Sequence, residues 1–404
     1  MQLIKLPALA LLLLGCALLS HAQAPALEKL DTNGIRPLEP GEVNILFSYY
    51  EQDGDNSPVT GGIGTEQLTD FSSRFIVKVP IKKQLTFNGD IGFDSYSSAS
   101  TDNIDRYVSS ASSSDTRIYG TFGFDKTPEG KNTSYGLKVG GSREYDYTSL
   151  SVGGHYALIS KDGNRELNLT GQAFFDAWQL IYPEDLLREG VLVPTDQRRS
   201  HNLGLTYSQV INRKLQASLS LDGIYMTGLL STPFHRVYFQ EQAAAKVEKL
   251  PDNRLKLPVG LRLNYYVADF LVARLYYRYY WDSWGIQAQT ASLELPIKIN
   301  RFFSVYPFYR YHTQTAADYF LPYKEHSLND EFYTSDYDLA ELDSHTYGMG
   351  VRYAPVNGLA RIKFPMGKKR DVLLLRGFDL RYAHYERTPS LKANVVSLGL
   401  NFTY

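Results

Sequence analysis

The first chemically consequential feature of this sequence is a series of charged residues set beside apolar neighbours. Arg74, Asp90, Arg117, Glu166, Asp222, Arg262, Arg274, Arg278, Arg310 and Arg352 each adjoin an apolar residue or a short alternating run. In an extended chain successive side chains point to opposite faces, so one face collects charge and the other apolar surface. An Arg or Lys facing lipid near mid-bilayer costs roughly 2–4 kcal/mol, so in a membrane these groups must turn inward. Both signs occur. Paired, they form structural Arg–carboxylate contacts; in an open lumen they conduct ions.

Other candidate chemistry is sparse. Asp53 and Asp55 lie in an oxygen-rich run around Gly54 that could hold Ca²⁺, although the spacing misses the EF-hand pattern. Asp336, Asp338, Glu341 and Asp343 read as a solvated acidic loop face. The 8 histidines form no HExxH, and no GxSxG occurs. No catalytic residue, enzyme activity or cofactor is therefore expected. The near-neutral formal charge of −1 gives no case for nucleic acid.

The elements that must position these charges read as strands. Val43, Ile45, Phe47 and Tyr49 alternate in the first, and Leu257, Val259, Leu261 and Leu263 in a later one. Similar runs recur sixteen times, an even number, as in single-chain bacterial barrels. The connections after even-numbered runs are mostly short, such as 161–164 and 212–214. Several after odd-numbered runs are long, including 51–66, 95–114, 179–197, 228–253 and 316–342. Membrane barrels show this asymmetry between periplasmic turns and outer loops. The exception is 354–372, a long connection on the periplasmic side carrying Lys363, Lys368, Lys369 and Arg370. It reads as a solvated insertion or a contact for a periplasmic partner. Stretch 240–250 has helical composition and could plug or cap the mouth. Abundant Tyr (31) with Gly (31) suits aromatic girdles and tight turns. Tyr276, Tyr280, Tyr306 and Phe308 fall on the inner face and favour a narrow, partly filled lumen.

At the ends, 1–22 reads as a secretory signal, with Lys5, an apolar core and a cleavage site after Ala22. Cys16 is the only cysteine and sits inside it, in a weak lipoprotein-like context. Stretch 23–41 reads as a polar periplasmic lead-in, and 42–404 as the barrel. In the last run Val396, Leu398, Leu400, Phe402 and Tyr404 alternate with small polar residues. This finish resembles that of bacterial outer-membrane barrels, and the resemblance implies an assembly signal at Phe402 and Tyr404 for the barrel assembly machinery.

Several blocks resemble an uncharacterised bacterial outer-membrane β-barrel family, domain of unknown function number three-five-seven-zero. They are Asp94–Ser100, Glu144–Tyr147, Leu230–Phe234, Tyr279–Ile286 and Thr313–Phe320. The resemblance implies a barrel and brings no activity or catalytic residue. The expectation is therefore an all-β protein: a single transmembrane antiparallel up-and-down barrel of about sixteen strands, in lipid of a Gram-negative outer membrane. A charged lumen predicts a channel or transporter for a small solute. The alternative is a structural or docking barrel whose filled lumen presents loops to an envelope partner.

Overall fold

The computed structural model describes residues 40–97, 114–183, 185–186, 194–364 and 371–404. The expected signal with Cys16, and nearly all of the lead-in, lie outside the described residues. The alternating runs become β1 (Glu42–Gly54), β2 (Leu68–Lys82), β3 (Leu85–Ser97), β4 (Ser114–Lys126), β5 (Thr133–Arg143), β6 (Tyr147–Ile159), β7 (Arg165–Gln179), β8 (Thr195–Asn212) and β9 (Leu215–Gly228). The second half supplies β12 (Asn253–Ala268), β13 (Leu271–Asp282), β14 (Gln287–Glu294), β15 (Ile297–Lys298), β16 (Phe303–Gln314), β17 (Leu342–Tyr353), β18 (Ala360–Phe364), β19 (Asp371–Arg387) and β20 (Leu391–Thr403). A two-residue pair, β10 (Arg236–Val237) and β11 (Lys246–Val247), lies in a loop.

Neighbours pair antiparallel, and β20 closes on β1 from Glu42↔Thr403 to Gly54↔Leu391. β14 and β15 form one stave interrupted at Leu295–Pro296, and β18 is a short addition to β19. The ring thus has sixteen staves. Closure pairs both sides of every stave in the ring, which the bilayer interior demands.

The apolar positions lie on the outside and stay uncovered. Leu137 is 75% exposed and Leu203 67%. A belt of this kind in water would be an aggregation surface; in lipid it is a solvated face. Tyr135 stands opposite Tyr156 in the ladder, and Tyr309 opposite Tyr347. These exposed tyrosines suit the two interfaces, where an aromatic body meets a polar tip. No helix among the described residues is long and apolar enough to cross a membrane.

At the rim holding both ends of the described chain, Tyr404 N–H donates to Gly41 O at 3.1 Å. Phe402 is 6% exposed and packs with Val43 and Val77 across the closing seam. Here the long connection expected over 354–372 is exposed along most of its described length, as at Val356 (72%), and it is also ordered by pairing. Ala360–Phe364 pairs with Asp371–Leu375 as a hairpin, while 365–370 lies outside the described residues. The cause is the apolar run from Val372 to Leu375, of which Leu373 and Leu375 pack against the seam cluster.

At the opposite rim, loops L1 (55–67), L4 (180–194), L5 (229–252) and L7 (315–341) carry the deepest buried side chains. Phe239 and Val237 of L5 and Leu186 of L4 are 0% exposed. The solution-type apolar core therefore sits in a cap over the barrel. Arg236 ties three loops: it donates to Asp185 Oδ2 at 2.9 Å and Oδ1 at 2.8 Å, and to Val59 O at 2.6 Å. The helix suggested by composition over 240–250 does not form. β11 instead pairs with β10, and Lys249 bridges to Tyr333, so this segment satisfies its backbone groups with strand partners.

Candidate functional site

The ladder registers place the predicted charges on the face opposite the apolar belt, and they are unevenly distributed around the ring. From β12 to β19 this face carries Arg254, Lys256, Arg262, Arg274, Arg278, Lys298, Arg310, Arg352, Arg381 and Arg387 against Asp282, Glu294 and Asp379. From β2 to β9 it carries Asp70, Asp90, Asp94, Asp115, Asp125, Glu166, Asp176, Asp196 and Asp222 against Arg74, Lys78, Arg117, Lys138 and Arg198. One half of the wall is basic and the other acidic.

Many of these groups are brought together in pairs. Arg74 Nε donates to Asp90 Oδ1 at 2.8 Å, and a second guanidinium nitrogen meets Oδ2. Arg274 donates to Glu294 at 2.8 Å, and Arg381 approaches the same carboxylate at 3.5 Å. Arg117 lies 3.6 Å from Glu144, and Arg352 lies 3.9 Å from Asp379. Arg262 instead covers the Tyr276 ring at 5.5 Å. Among the described residues, Glu166 and Asp222 meet no cationic group within ion-pair distance. Several paired groups remain wet: the side chains of Arg74 and Arg352 are 46% and 58% exposed. Such pairs are worth about 0–1 kcal/mol each, so they shape the field more than they hold the fold.

The inner aromatics Tyr306 and Phe308 are each held by contacts along the wall. The Tyr306 ring lies over Gly350, where an added Cβ would fall 1.8 Å from a ring carbon. Its hydroxyl crosses β17 and donates to Asp379 Oδ1 on β19 at 2.8 Å. Phe308 lies under the Arg381 guanidinium at 3.8 Å. Glycine on the wall lets the Tyr306 ring lie along it instead of projecting toward the axis.

Toward the cap the basic wall encloses a cavity of about 500 Å³, lined by Arg254, Arg278, Tyr280, Arg310, His312, Gln314, Ser344, Thr346 and Tyr385. Asp338 and Leu339 of L7 reach into it. Arg254 is committed to Asp282, but Arg278 and Arg310 have no carboxylate partner among the described residues. Arg278 Nε is buried without any acceptor. Two uncompensated guanidinium groups on one cavity can take an anion, or a carboxylate or phosphate presented bidentately. L7 is held there by Gln314, whose amide donates to Asp338 O at 3.0 Å and Ala340 O at 2.8 Å.

Two features anchor the basic wall to the cap. Asp282 is 0% exposed. It accepts from Arg254 Nε at 2.9 Å, Tyr280 OH at 2.7 Å, and the backbone N–H groups of Trp284 at 3.0 Å and Ile286 at 3.1 Å. Gly285 has φ +90 and abuts Asp318, so a Cβ there would meet the carboxylate at 2.3 Å. The blocks around 279–286 and 313–320 thereby meet in space, as Tyr96 and Glu144 of two other blocks do at 3.0 Å.

Asp53 and Asp55, the candidate Ca²⁺ ligands, each have a partner in the ladder or loop. Asp53 accepts from Gln67 at 3.1 Å and Asp55 bridges to Thr65. The described residues gather three possible ligand groups only at His235, Glu248 and Asp336. Of the acidic face expected in L7, Asp338, Glu341 and Asp343 are exposed, while Asp336 turns toward His235 and Asp338 also meets Arg387. These partners are separated widely in sequence, so no local motif announces them.

A closed ring with an apolar outside and a charged inside defines a transmembrane β-barrel of the outer-membrane type. Residues 47–363 match the model of the family described as Protein of unknown function (DUF3570), and the chain belongs to that family. No curated protein matches the chain. Similar solved structures include a bacterial polysaccharide outer membrane secretin, at 10% identity and TM-score 0.46, covering 91% of this chain and 100% of that one. The outer membrane protein opdK from Pseudomonas aeruginosa is similar at 8% identity and TM-score 0.42, covering 91% and 100%. OccAB3 from Acinetobacter baumannii is similar at 11% identity and TM-score 0.40, covering 90% and 98%.

Proposed function

We propose that the protein is a channel of the Gram-negative outer membrane that passes small solutes and favours anions. The observation that carries this reading is the pair Arg278 and Arg310, uncompensated on one cavity of the basic wall. A small anion gains from both groups, while the acidic half of the wall faces it across the lumen. The field across the lumen orients a dipolar solute as it passes. Reconstitution of refolded protein in planar bilayers tests this. Steady single-channel steps with an anion-over-cation reversal potential are expected; a silent membrane would overturn the reading.

A second reading concerns the periplasmic hairpin. Arg361 and Lys363 are exposed on β18, which extends beyond the rim, and this edge suits an acidic periplasmic partner. Crosslinking from position 363 in intact cells tests it, and an absence of any specific adduct counts against it. Phe402 and Tyr404 are the residues we assign to recognition by the barrel assembly machinery. A Phe402→Asp chain is then expected to accumulate unassembled, read by loss of heat-modifiable gel mobility.

A further inference from the structure

We propose that His235, Glu248 and Asp336 bind one divalent transition cation of the Zn²⁺ class and thereby fasten L5 to L7 in the cap. The ligand atoms are already gathered. His235 Nδ1 lies 3.5 Å from Glu248 Oε1 and 3.8 Å from Asp336 Oδ2, and all three atoms lie within 4.8 Å of one another. Zinc bonds of about 2.0–2.2 Å in tetrahedral geometry require ligand atoms roughly 3.3–3.5 Å apart. Closing on a cation therefore needs small side-chain shifts and no change of fold.

The chemistry of the set selects the ion. One imidazole with two carboxylates suits a borderline metal, and the absence of sulfur disfavours Cu(I). Two ionised carboxylates balance the charge of a divalent ion. The partners of the ligands are in place as well, as metal sites require. Glu248 Oε1 accepts from Thr334 Oγ1 at 2.5 Å and Oε2 from Thr232 N–H at 2.7 Å. Asp336 Oδ1 accepts from Asp338 N–H at 2.9 Å, which leaves Oδ2 toward His235. The Glu248 side chain is 2% exposed and that of Asp336 20%, so water and the ion enter past Asp336 and a water completes the coordination.

The fold explains how the set arises. Pairing of β10 with β11 sets His235 beside Glu248, whose N–H donates to His235 O at 3.0 Å. Asp336 comes from L7, where it caps the short 3-10 turn Tyr337–Leu339. That turn carries Asp338 and Leu339 into the cavity of the basic wall. A cation on Asp336 thus holds the element that narrows the lumen, a consequence that rests on the channel reading, whereas the binding itself does not.

The test is calorimetric titration of Zn²⁺ into the full barrel, refolded in detergent and stripped with chelator. One equivalent with saturable binding is expected. His235→Ala and Asp336→Asn should each weaken it by at least about 100-fold, the upper range for loss of even an outer partner of a metal ligand. His155→Ala, on the lumen wall, should leave it unchanged. Asp336→Asn retains the cap to Asp338 N–H, and heat-modifiable mobility reports that each variant is folded. Wild-type protein that takes up no saturable equivalent would overturn the proposal and leave a metal-free His–carboxylate contact. Equal binding by both variants would overturn it too. Neither result depends on conductance, so failure here is separable from failure of the channel reading.

Discussion

Replacing both Arg278 and Arg310 by glutamine keeps two long polar side chains and deletes two positive charges from the cavity. Neither arginine has a carboxylate partner among the described residues, so no described acidic group is orphaned and the ladder is untouched. A unit charge at about 4 Å in bulk-water dielectric is worth about 1 kcal/mol. Each deletion should then lower monovalent anion occupancy about fivefold, and the pair by about 30-fold where the two fields add. Arg254 remains nearby but is neutralised by Asp282. The assay is the reversal potential across a bilayer under a KCl gradient, at about 0.1 M where the screening length is about 10 Å. The anion-to-cation permeability ratio should fall severalfold while conducting steps persist. A charge-conserving variant serves as the control: Arg278→Lys with Arg310→Lys keeps both positive charges and should move the ratio far less. An unchanged ratio in the double variant, with normal conductance, would show that these arginines do not set the field felt by a passing ion.

Three further outcomes follow from the cap and the wall. Glu66 in L1 is pushed up to about 7 by burial and by Asp338, against the opposing pull of Arg387. Its native form therefore holds a proton that the undocked loop releases near 4.5, so the stabilisation is full below that pH and is lost as pH rises through 7. The thermal midpoint of the cap, followed by near-ultraviolet circular dichroism, should fall from pH 5 to pH 8 and flatten in Glu66→Gln; a parallel fall in that variant would refute the assignment. Asp282→Ala strands buried Arg254 and the N–H groups of Trp284 and Ile286, at a cost of about 3–5 kcal/mol. External protease should then cut near 283–286, and resistance equal to wild type would contradict the account. Gly350→Leu displaces the Tyr306 ring and breaks its bond to Asp379, so single-channel conductance should drop; wild-type conductance would show that the ring does not bound the lumen.

Much of the barrel was legible because lipid and water impose period 2 on each stave, and Leu257 to Leu263 displays it without interruption. The number of staves followed from that rhythm and from the asymmetry of the connections. The hairpin at β18 was not legible, since its reason is packing of Leu373 and Leu375 against Val43 and Phe402, far away in sequence. Helical composition over 240–250 misled because β10 offers that stretch a strand partner that alanine content does not reveal. The site divided in the same way. Residue-by-residue alternation is enough to turn Arg278 and Arg310 away from lipid. The unequal sharing of charge between the two halves was present in the order of residues, but emerges only when the wall is sorted by strand. His235 and Asp336 could not be linked by spacing, because only the folded cap joins them.

Arg236 grips Val59 and Asp185 at once, and those residues hang from staves on either side of the stretch between β2 and β7. No such grip exists while the sheet is an open ribbon, because its two anchors are then far apart. The clasp therefore registers that rolling is complete, at the rim opposite the one where Tyr404 meets Gly41. A barrel stalled before closure would show the outside world slack, cleavable loops, and one that has finished would show a hard surface. Trimming of intact cells by an added protease thus reads the maturity of each molecule from outside.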